Sequence, residues 1–283
     1  GGFRPISEKD LFDCEYWSLE QAKLGKGASP KFQGKIVMIT GGSGTIGFAI
    51  AEAFSKLGAQ TILVDKDEIA LKESVTKLGV GHKYFPIDVT HSDAANQAML
   101  AAINNFGGLD ILISNAGAAH AGPMLGISNE ELRNAFELNF FSHYSFSTEA
   151  AKILKDQNRG GQILFNISKQ AVNPGKNFGA YGLPKATTFF LMRQLALELG
   201  SDGIRVNGIN ADRIRSGLLT DDFISSRAKS RGVSESEYMA GNLLNKEVTA
   251  EHVADAFTAL ACAESTTGHV MTVDGGNIEA SLR

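Results

Sequence analysis

The 283-residue sequence has little of several features that mark specialised classes of protein. Its two cysteines, Cys14 and Cys262, lie far apart and predict free thiols in a reducing compartment, so we expect a cytoplasmic protein. The net charge is −4, without a basic stripe or charged tail, which argues against a nucleic-acid or membrane-surface partner. No run of about 18 apolar residues occurs, so no membrane-spanning helix is predicted.

Signals for export and for metal binding are also missing. The first residues, Gly1-Gly2-Phe3-Arg4, lack both a signal-peptide core and an initiating Met, so we expect a processed chain or part of a longer one. The histidines show no HExxH or paired spacing, and no metal site is predicted. The length fits one large α/β domain over residues 34–283, preceded by an arm or linker over residues 1–33.

One stretch has the pattern of a phosphate-binding turn between a strand and a helix. The apolar run Lys35–Thr40 predicts a buried parallel strand, and helical spacing of apolar residues follows. The glycines permit a tight turn close to a pyrophosphate, and the helix N-terminus offers free N–H groups to it. The residues predicted to contact a dinucleotide here are Gly41, Ser43, Gly44, Thr45, Ile46 and Gly47.

An acidic residue follows the next strand at the spacing typical of a ribose ligand. The strand Thr61–Val64 ends at Asp65, which lies 18 residues after Gly47. A carboxylate there bonds the ribose 2′-hydroxyl and repels a 2′-phosphate, so NAD is predicted in preference to NADP. Lys66 beside it would soften this preference. Asp65 as the N-cap of the next helix is the alternative role, and both roles are compatible.

Strand and helix patterns then alternate, which predicts a doubly wound parallel sheet of about seven strands with helices on both faces. Helices are predicted near 67–78 and 92–106, and strands at 82–87 and 110–114. Ligands bind beyond the carboxyl ends of such strands, and we assign the residues that follow these two strands to the cofactor site. They are Asp88, Val89, Asn115, Ala116 and Gly117.

Asp88 has two possible roles at its strand end. Its carboxylate is placed to receive the adenine amino group of a dinucleotide. Alternatively, it caps the helix that Thr90 and Asp93 begin.

Two later helices carry apolar residues on more than one face. The capping box Ser128–Glu131 opens a long helix, and a second helix is predicted over 180–199. Such helices need a partner beyond their own sheet, so we predict a homo-oligomer, a dimer or tetramer, with deep burial in one domain as the alternative. The residues concerned are Phe136, Leu138, Phe140, Phe141, Tyr144, Phe146, Phe189, Phe190, Leu191, Met192, Leu195, Leu197 and Leu199.

Ser168, Tyr181 and Lys185 form the candidate catalytic group. Ser168 follows a predicted strand, and Tyr181 and Lys185 lie four residues apart on one face of a predicted helix. The Lys185 ammonium is expected to lower the tyrosine pKa from its usual value of about 10, which makes Tyr181 a general acid/base. Ser168 would hold the substrate oxygen, and Lys185 would also bond the nicotinamide ribose. Each residue alone also fits a structural role.

Together the glycine turn, the strand-end Asn-Ala-Gly and the Ser, Tyr and Lys resemble the short-chain dehydrogenase/reductase family. The resemblance runs from about residue 33 to the end of the chain, where Val273-Asp274-Gly275-Gly276 is similar to the family's C-terminal strand. It implies a small-molecule substrate and a proton-relay tetrad that Asn139 completes.

The sequence departs from the family pattern at three places. Thr45 stands where a glycine is usual in the turn, and Ala211-Asp212 replaces a Pro-Gly pair that lines the nicotinamide in the family. Pro184 precedes Lys185, and a proline is tolerable only in the first turn of a helix.

A narrower resemblance involves the predicted short helix Glu15–Leu24, together with Asn210–Arg213 and Leu243–Val248. These segments resemble proteins that fuse a class II aldolase to a short-chain dehydrogenase. Those fusions act in deoxysugar breakdown, on rhamnulose 1-phosphate, and their dehydrogenase half oxidises lactaldehyde. The resemblance implies a fused aldolase domain in the native chain. Otherwise, residues 1–33 are an arm packed on the domain surface.

Residues 211–247 are polar and long for a loop, which predicts a lid that sets substrate choice. Within it, Arg213 and Arg215 either hold a phosphate or carboxylate or are solvated surface charges. The predicted function is an NAD-dependent oxidoreductase that interconverts a small hydroxy compound, such as lactaldehyde, a polyol or a sugar-like alcohol, and its carbonyl form. The alternatives are a non-catalytic NAD-binding module of a larger assembly and a reductase of acyl or lipid substrates.

Overall fold

A computed structural model describes residues 7–23, 29–119, 121–217 and 219–277 of the chain. Within these ranges, seven strands form one parallel sheet. The strands are β1 (Ile36–Thr40), β2 (Gln60–Asp65), β3 (Lys83–Pro86), β4 (Ile111–Ser114), β5 (Gly161–Asn166), β6 (Ile204–Ala211) and β7 (Val270–Val273). Their order across the sheet is β3-β2-β1-β4-β5-β6-β7, so the direction of winding reverses between β1 and β4.

Helices cover both faces of this sheet, as the sequence predicts. The helices of the described residues are α1 (Glu8–Lys23), α2 (Thr45–Lys56), α3 (Glu68–Leu78), α4 (Ala94–Phe106), α5 (Asn129–Phe136), α6 (Ser142–Gln157), α7 (Gly179–Leu199), α8 (Asp221–Arg231), α9 (Glu235–Met239) and α10 (Ala250–Cys262). Helices α4, α6 and α7 share one apolar core with the sheet, and α2, α3 and α10 share the other. The doubly wound parallel class is therefore confirmed.

The central strand β1 shows why its sequence is apolar up to its last residue, Thr40. Met38 belongs to the core on one face, and Val37 and Ile39 belong to the core on the other. Successive side chains of a strand point to opposite faces, so a strand buried on both sides is apolar along its length, and its one polar residue, Thr40, stands at the end. All five residues of β1 are buried.

The predicted long helix after Ser128 is interrupted. Its capping box is present, since Ser128 accepts from the Glu131 backbone N–H at 3.1 Å and the Glu131 carboxylate accepts from the Ser128 N–H at 2.8 Å. A single π-helical turn, Glu137–Phe141, separates α5 from α6. Such turns often occur at functional sites, and this one contains Asn139.

Pro184 does not lie where the sequence analysis expects it. Helix α7 begins at Gly179, so Pro184 falls in its second turn and is buried there. The rule that a proline is tolerated only in the first turn of a helix therefore does not hold at this position. A proline at this place donates no hydrogen bond to the carbonyl of Ala180.

The region predicted as a lid has more structure than a polar loop. It contains α8 and α9, capped by the side chains of Thr220 and Ser234. These helices enclose a small apolar cluster of their own, formed by Leu219, Ile224, Ala228, Tyr238 and Met239. The two helices are therefore a packed substructure at the end of β6.

The N-terminal segment contains the predicted helix, which begins earlier than expected, at Glu8. Leu11, Phe12 and Tyr16 on it are 50%, 62% and 50% exposed. Residues 1–6 and 24–28 of the predicted arm lie outside the described residues. Across the part of the chain that the structure describes, no helix is long and apolar enough to cross a membrane.

The turn after β1 predicts a sharp response to substitution. A Cβ at Gly47 would overlap the carbonyl oxygen of Gly41, so Gly47→Ala should destabilise the protein by about 1–3 kcal/mol. Gly200 is the matched control, because its φ is −60° and a Cβ there meets nothing within 4 Å. Chemical denaturation measures both variants. Equal unfolding free energies for the two would contradict this account of the turn.

Candidate active site

The predicted cofactor residues gather beyond the carboxyl ends of β1, β2 and β4, next to the point where the winding reverses. Gly41 has a φ of +65°, and a Cβ there would lie 3.0 Å from the Cα of Ala116. A Cβ at Gly42 would lie 2.8 Å from the Cβ of Leu63. The glycines are therefore required by close backbone approach, and they leave a shallow cradle in front of α2.

Thr45, the departure from the usual glycine pattern, is the first residue of α2, and Gly44 is its N-cap. Thr45 is exposed, so its side chain fits without displacing the turn. The first-turn N–H groups of α2 have no partners within the helix and face the cradle as an anion site. The threonine therefore leaves the geometry of the turn intact.

Asp65 ends β2 and is tied to the same turn. Its carboxylate accepts from the Ser43 N–H at 3.3 Å and from the Lys66 N–H at 2.8 Å. The N-cap of α3 is Asp67, which accepts from the Ala70 N–H at 3.0 Å. The alternative role of Asp65 as a helix cap is thus wrong, and its carboxylate lies at the edge of the cradle.

Asp88 follows β3, beside Val89, which is buried. The Asp88 carboxylate accepts from the backbone N–H of Thr90 at 3.0 Å and from its hydroxyl at 2.7 Å. The backbone hydrogen bond from Thr90 lowers the pKa of Asp88, because it stabilises the charged form. Asp88 therefore forms a turn with Thr90, while Asp93 is the N-cap residue of α4.

The strand-end Asn115-Ala116-Gly117 is fastened to β1. The Thr40 hydroxyl accepts from the N–H groups of Asn115 and Ala116 at 2.9 and 3.0 Å. The Asn115 amide donates to the carbonyl of Thr40 at 2.9 Å, and its oxygen accepts from the Asn166 amide at 2.9 Å. This network joins β1, β4 and β5 behind the cradle. Sequence reasoning missed Thr40 and Asn166, although both are polar residues at the ends of apolar strands.

Asn139 connects the π-helical turn to the segment after Gly117. Its amide nitrogen donates to the carbonyls of Ala118 and Ala135 at 3.0 and 3.1 Å, and its oxygen accepts from the Ala118 N–H at 3.3 Å. A Cβ at Gly117 would lie 2.8 Å from the Asn139 amide oxygen and 3.5 Å from Lys185 Nζ. The arrangement brings Asn139 and Lys185 to one place.

Ser168, Tyr181 and Lys185 also come together, as the spacing predicts. Ser168 follows β5, and its hydroxyl hydrogen-bonds the phenol of Tyr181. Lys185 Nζ lies 5.8 Å from the centre of the Tyr181 ring and donates to the carbonyl of Asn166 at 2.9 Å. Both Tyr181 and Lys185 are buried, at 8% and 2% exposure. Burial separates these groups from competing hydrogen bonds with bulk water.

The electrostatics of this pair differ from the sequence expectation. Burial raises the pKa of Tyr181 to about 12, because the phenolate loses its hydration, and the hydrogen bond with Ser168 acts in the opposite direction. Burial lowers the pKa of Lys185 to about 7. The expected decrease in the tyrosine pKa is therefore wrong for the protein alone, since burial outweighs the hydrogen bond with Ser168.

A buried histidine that the sequence analysis did not select borders Lys185. His143, in α6, lies 3.4 Å from Lys185 Nζ through Nε2 and 2.6 Å from the Ser114 hydroxyl through Nδ1. No spacing pattern in the sequence distinguishes it from the other histidines.

The segment after β6 carries charged residues that are paired with each other. Asp212 accepts from Lys169 Nζ at 3.3 Å and from the Asn277 amide at 2.8 Å. Arg213 donates to the carbonyl of Tyr238 at 2.6 Å. Arg215 forms ion pairs with Glu247 and Asp221 at 2.7 Å. Arg213 is thus held by a backbone carbonyl of α9, and Arg215, whose side chain is 41% exposed, is a surface charge paired with two carboxylates.

The cradle and its surroundings fit a dinucleotide. Glycines stand at positions 41, 42 and 47, where a Cβ would collide with neighbouring atoms, the N-terminus of α2 faces the cradle, and the Asp65 carboxylate stands at its edge. Within the described ranges, no three His, Cys, Asp or Glu side chains come together as a group able to hold a metal ion.

Comparison with family models gives two matches. The family described as Enoyl-(Acyl carrier protein) reductase matches residues 41–277, and the one described as Aldolase class II, second domain, matches residues 1–24. The oxidoreductase YuxG of Bacillus subtilis (strain 168) is 33% identical over 98% of this chain. The chain spans 42% of the length of that relative.

Solved structures share the fold. L-sorbose reductase from Gluconobacter frateurii, complexed with NADPH and L-sorbose, has a TM-score of 0.80 and 28% identity, covering 88% of this chain and 98% of that one. The 3-ketoacyl-(acyl-carrier-protein) reductase from Brucella melitensis, complexed with NADH, has a TM-score of 0.77 and 25% identity, covering 87% and 99%. With these matches and the first family model, the chain belongs to the short-chain dehydrogenase/reductase family of nicotinamide-dependent oxidoreductases.

Proposed function

We propose that the protein is an NAD-dependent oxidoreductase that interconverts a small hydroxy compound and its carbonyl form, with Tyr181 as the general acid/base. The observation that carries this proposal is the buried contact of Tyr181 with Ser168 and Lys185 beside a dinucleotide cradle. A module that only binds NAD has no need of an ionisable phenol and amine in this costly environment.

We assign a separate role to each residue of the candidate catalytic group. Tyr181 gives a proton to the substrate oxygen during reduction and takes it during oxidation. Ser168 orients that oxygen and bonds the phenol. Lys185 supplies positive charge beside the phenol, which favours the phenolate. Asn139 positions the segment after Gly117 and so sets one wall around the Lys185 amine.

The cofactor residues follow from the same geometry. A bound nicotinamide cofactor supplies or accepts the hydride. We assign the pyrophosphate to the turn Gly41–Gly47, the adenine to Asp88 and Val89, and a wall of the site to Asn115–Gly117. The Asp65 carboxylate is held by Ser43 and Lys66, ready to accept a hydrogen bond from a ribose hydroxyl. It would repel a 2′-phosphate, which supports NAD over NADP.

The proposed substrate class rests on a charged pair formed by the residue that follows Ser168. Lys169 comes directly after it, and the Lys169–Asp212 pair is only 15% and 12% exposed in its side chains. Such groups favour a short compound that carries several oxygens, and they disfavour a long acyl chain. Lactaldehyde, polyols and sugar-like alcohols are therefore the proposed substrates, within carbohydrate metabolism. The sorbose bound to the Gluconobacter frateurii relative is a molecule of this kind.

We also propose that an aldolase domain precedes this domain in the native protein. The match of residues 1–24 to a class II aldolase family and the small share of YuxG that the chain spans support this. The helix α1 with its exposed Leu11, Phe12 and Tyr16 would then belong to the connection between the two domains. The cytoplasmic location stays a prediction.

A homo-oligomer, a dimer or tetramer, is proposed from exposed apolar side chains on neighbouring helices. Phe141 and Tyr144 are 46% and 47% exposed, and Phe190 and Leu197 are 66% and 81% exposed. Other members of the predicted set, such as Phe146, are buried in the core, so burial within one domain accounts for those residues. Exposed patches of this kind mark contact surfaces.

Substitution at this surface should change the mass of the assembly. Phe190→Glu puts a charge into the proposed contact and is expected to shift the protein from an oligomer toward a monomer, as measured by light scattering with size-exclusion chromatography. Val80→Glu is the control, because Val80 is fully exposed in a loop. A monomeric unmodified protein would contradict the proposal.

Removal of the Tyr181 hydroxyl tests the proposed chemistry. Tyr181→Phe should lower kcat by about 10²–10⁴ on a small hydroxy substrate, because no other group at this position transfers the proton. The variant should still bind the cofactor, as measured by the quenching of protein fluorescence. Tyr16→Phe, in the exposed helix α1, is the matched control and should keep its activity. Full turnover by Tyr181→Phe would show that the acid/base assignment is wrong.

A further inference from the structure

We propose that His143 is a positioning residue for Lys185: its neutral imidazole accepts a hydrogen bond from the lysine Nζ and keeps that amine charged beside Tyr181. The inference rests on the proposed function, since it assigns a task to the lysine of that site. It adds a group that touches neither substrate nor cofactor and acts through Lys185.

The geometry places His143 as the inner partner of the lysine. His143 is 1% exposed, in the first turn of α6 directly after the π-helical turn. Its Nε2 lies 3.4 Å from Lys185 Nζ, and its Nδ1 lies 2.6 Å from the Ser114 hydroxyl. Lys185 Nζ also donates to the carbonyl of Asn166 at 2.9 Å. The amine is thus held between β5 and α6.

The donors and acceptors select one tautomer of the imidazole. An ammonium has only N–H donors, so a hydrogen bond with it requires an unprotonated Nε2. The proton of a neutral ring then lies on Nδ1, which faces Ser114. Both ring nitrogens are matched in this tautomer.

The charges around the ring support a neutral histidine. The groups that pack against it come from three elements: Ser114 from β4, the Phe165 ring from β5 at 6.1 Å between centroids, and Lys185 from α7. Among these, Lys185 is the charged one, and Tyr181 is the titratable group next to it. Burial, followed by the charge of Lys185, holds the pKa of His143 well below its usual value.

The consequence concerns the charge of the lysine. Burial alone brings the pKa of Lys185 to about 7, so its ammonium is only marginally favoured near neutral pH. Each acceptor that bonds the ammonium shifts this balance toward the charged form. The Asn166 carbonyl is one such acceptor, and His143 Nε2 is the second. Without the second acceptor, the lysine gives less support to the Tyr181 phenolate.

Two substitutions at His143 separate an acceptor from a space-filling role. His143→Leu keeps the volume but removes the acceptor, whereas the amide oxygen of His143→Gln can replace Nε2. We expect His143→Leu to lower kcat by about ten- to hundredfold, the effect of one hydrogen bond to a charged group, and His143→Gln to recover most of it. In His143→Leu, the pH at which kcat/KM for oxidation rises should also move upward.

A matched control sits elsewhere in the fold. His82 is half-buried and contacts the hydroxyls of Ser55 and Thr61 at 3.1 and 2.9 Å. His82→Leu should lower stability without moving the pH profile. If His143→Leu and His82→Leu change stability alike and leave the same pH profile, His143 is structural and the proposal fails.

An NMR measurement on the cofactor-free protein determines the tautomer of His143 without an activity assay. Nitrogen chemical shifts of His143, measured between about pH 6 and 8, should show a neutral ring with the proton on Nδ1. A proton on Nε2, or a charged ring at neutral pH, would overturn the inference. Full activity of Tyr181→Phe would instead remove the proposed function, while the tautomer and the control pair would still report on the Lys185–His143 contact.

Discussion

The site depends on one buried amine. Lys185 is almost completely enclosed, and removal of an amine from water disfavours its charged form. Two hydrogen-bond acceptors from different elements offset this cost by stabilising the ammonium. They are the Asn166 carbonyl of β5 and the His143 ring of α6. Tyr181 lies in the same enclosure, so the ionisation of its phenol is linked to the charge of the lysine. Reactivity at this place is therefore an electrostatic property of the packed core.

The polar groups that surround the amine are themselves fixed by the sheet. Thr40 ends β1 and receives the N–H groups that begin the segment after β4, while Asn115 connects this segment to Asn166. The carbonyl that holds Lys185 and the glycine turn that forms the cofactor cradle are thus parts of one hydrogen-bonded network. Any shift between β1 and β4 would disturb the cofactor site and the proton-transferring group together.

Much of this arrangement could be predicted from the sequence because it depends on the pattern of residues that are close together in the chain. Apolar runs give the strands of a doubly buried sheet, the spacing of Gly41 and Gly47 gives the turn, and the interval between Tyr181 and Lys185 places both on one helix face. The capping box at Ser128 is confirmed for the same reason. These features need only neighbours in sequence.

The remaining features depend on tertiary contacts. The π-helical turn around Asn139 reflects hydrogen-bond register, which apolar periodicity does not reveal. The pKa of Tyr181 follows from its depth of burial, and His143 acquires its place only when α6 packs against β4 and α7. The helices α8 and α9 could have been predicted from the sequence but were not. Thr220 and Ser234 are ordinary N-cap residues within a polar stretch.

The most direct test of the central claim is NADH formation by the purified protein, measured with NAD or NADP against a panel of lactaldehyde, short diols, polyols and deoxysugars. The account predicts turnover of at least one short hydroxy compound, with a higher kcat/KM for NAD than for NADP. Preference for NADP would contradict the role of Asp65. If the protein binds NAD but turns over no compound in the panel, this would contradict the proposed oxidation. It would favour a binding module or a reductase of acyl substrates.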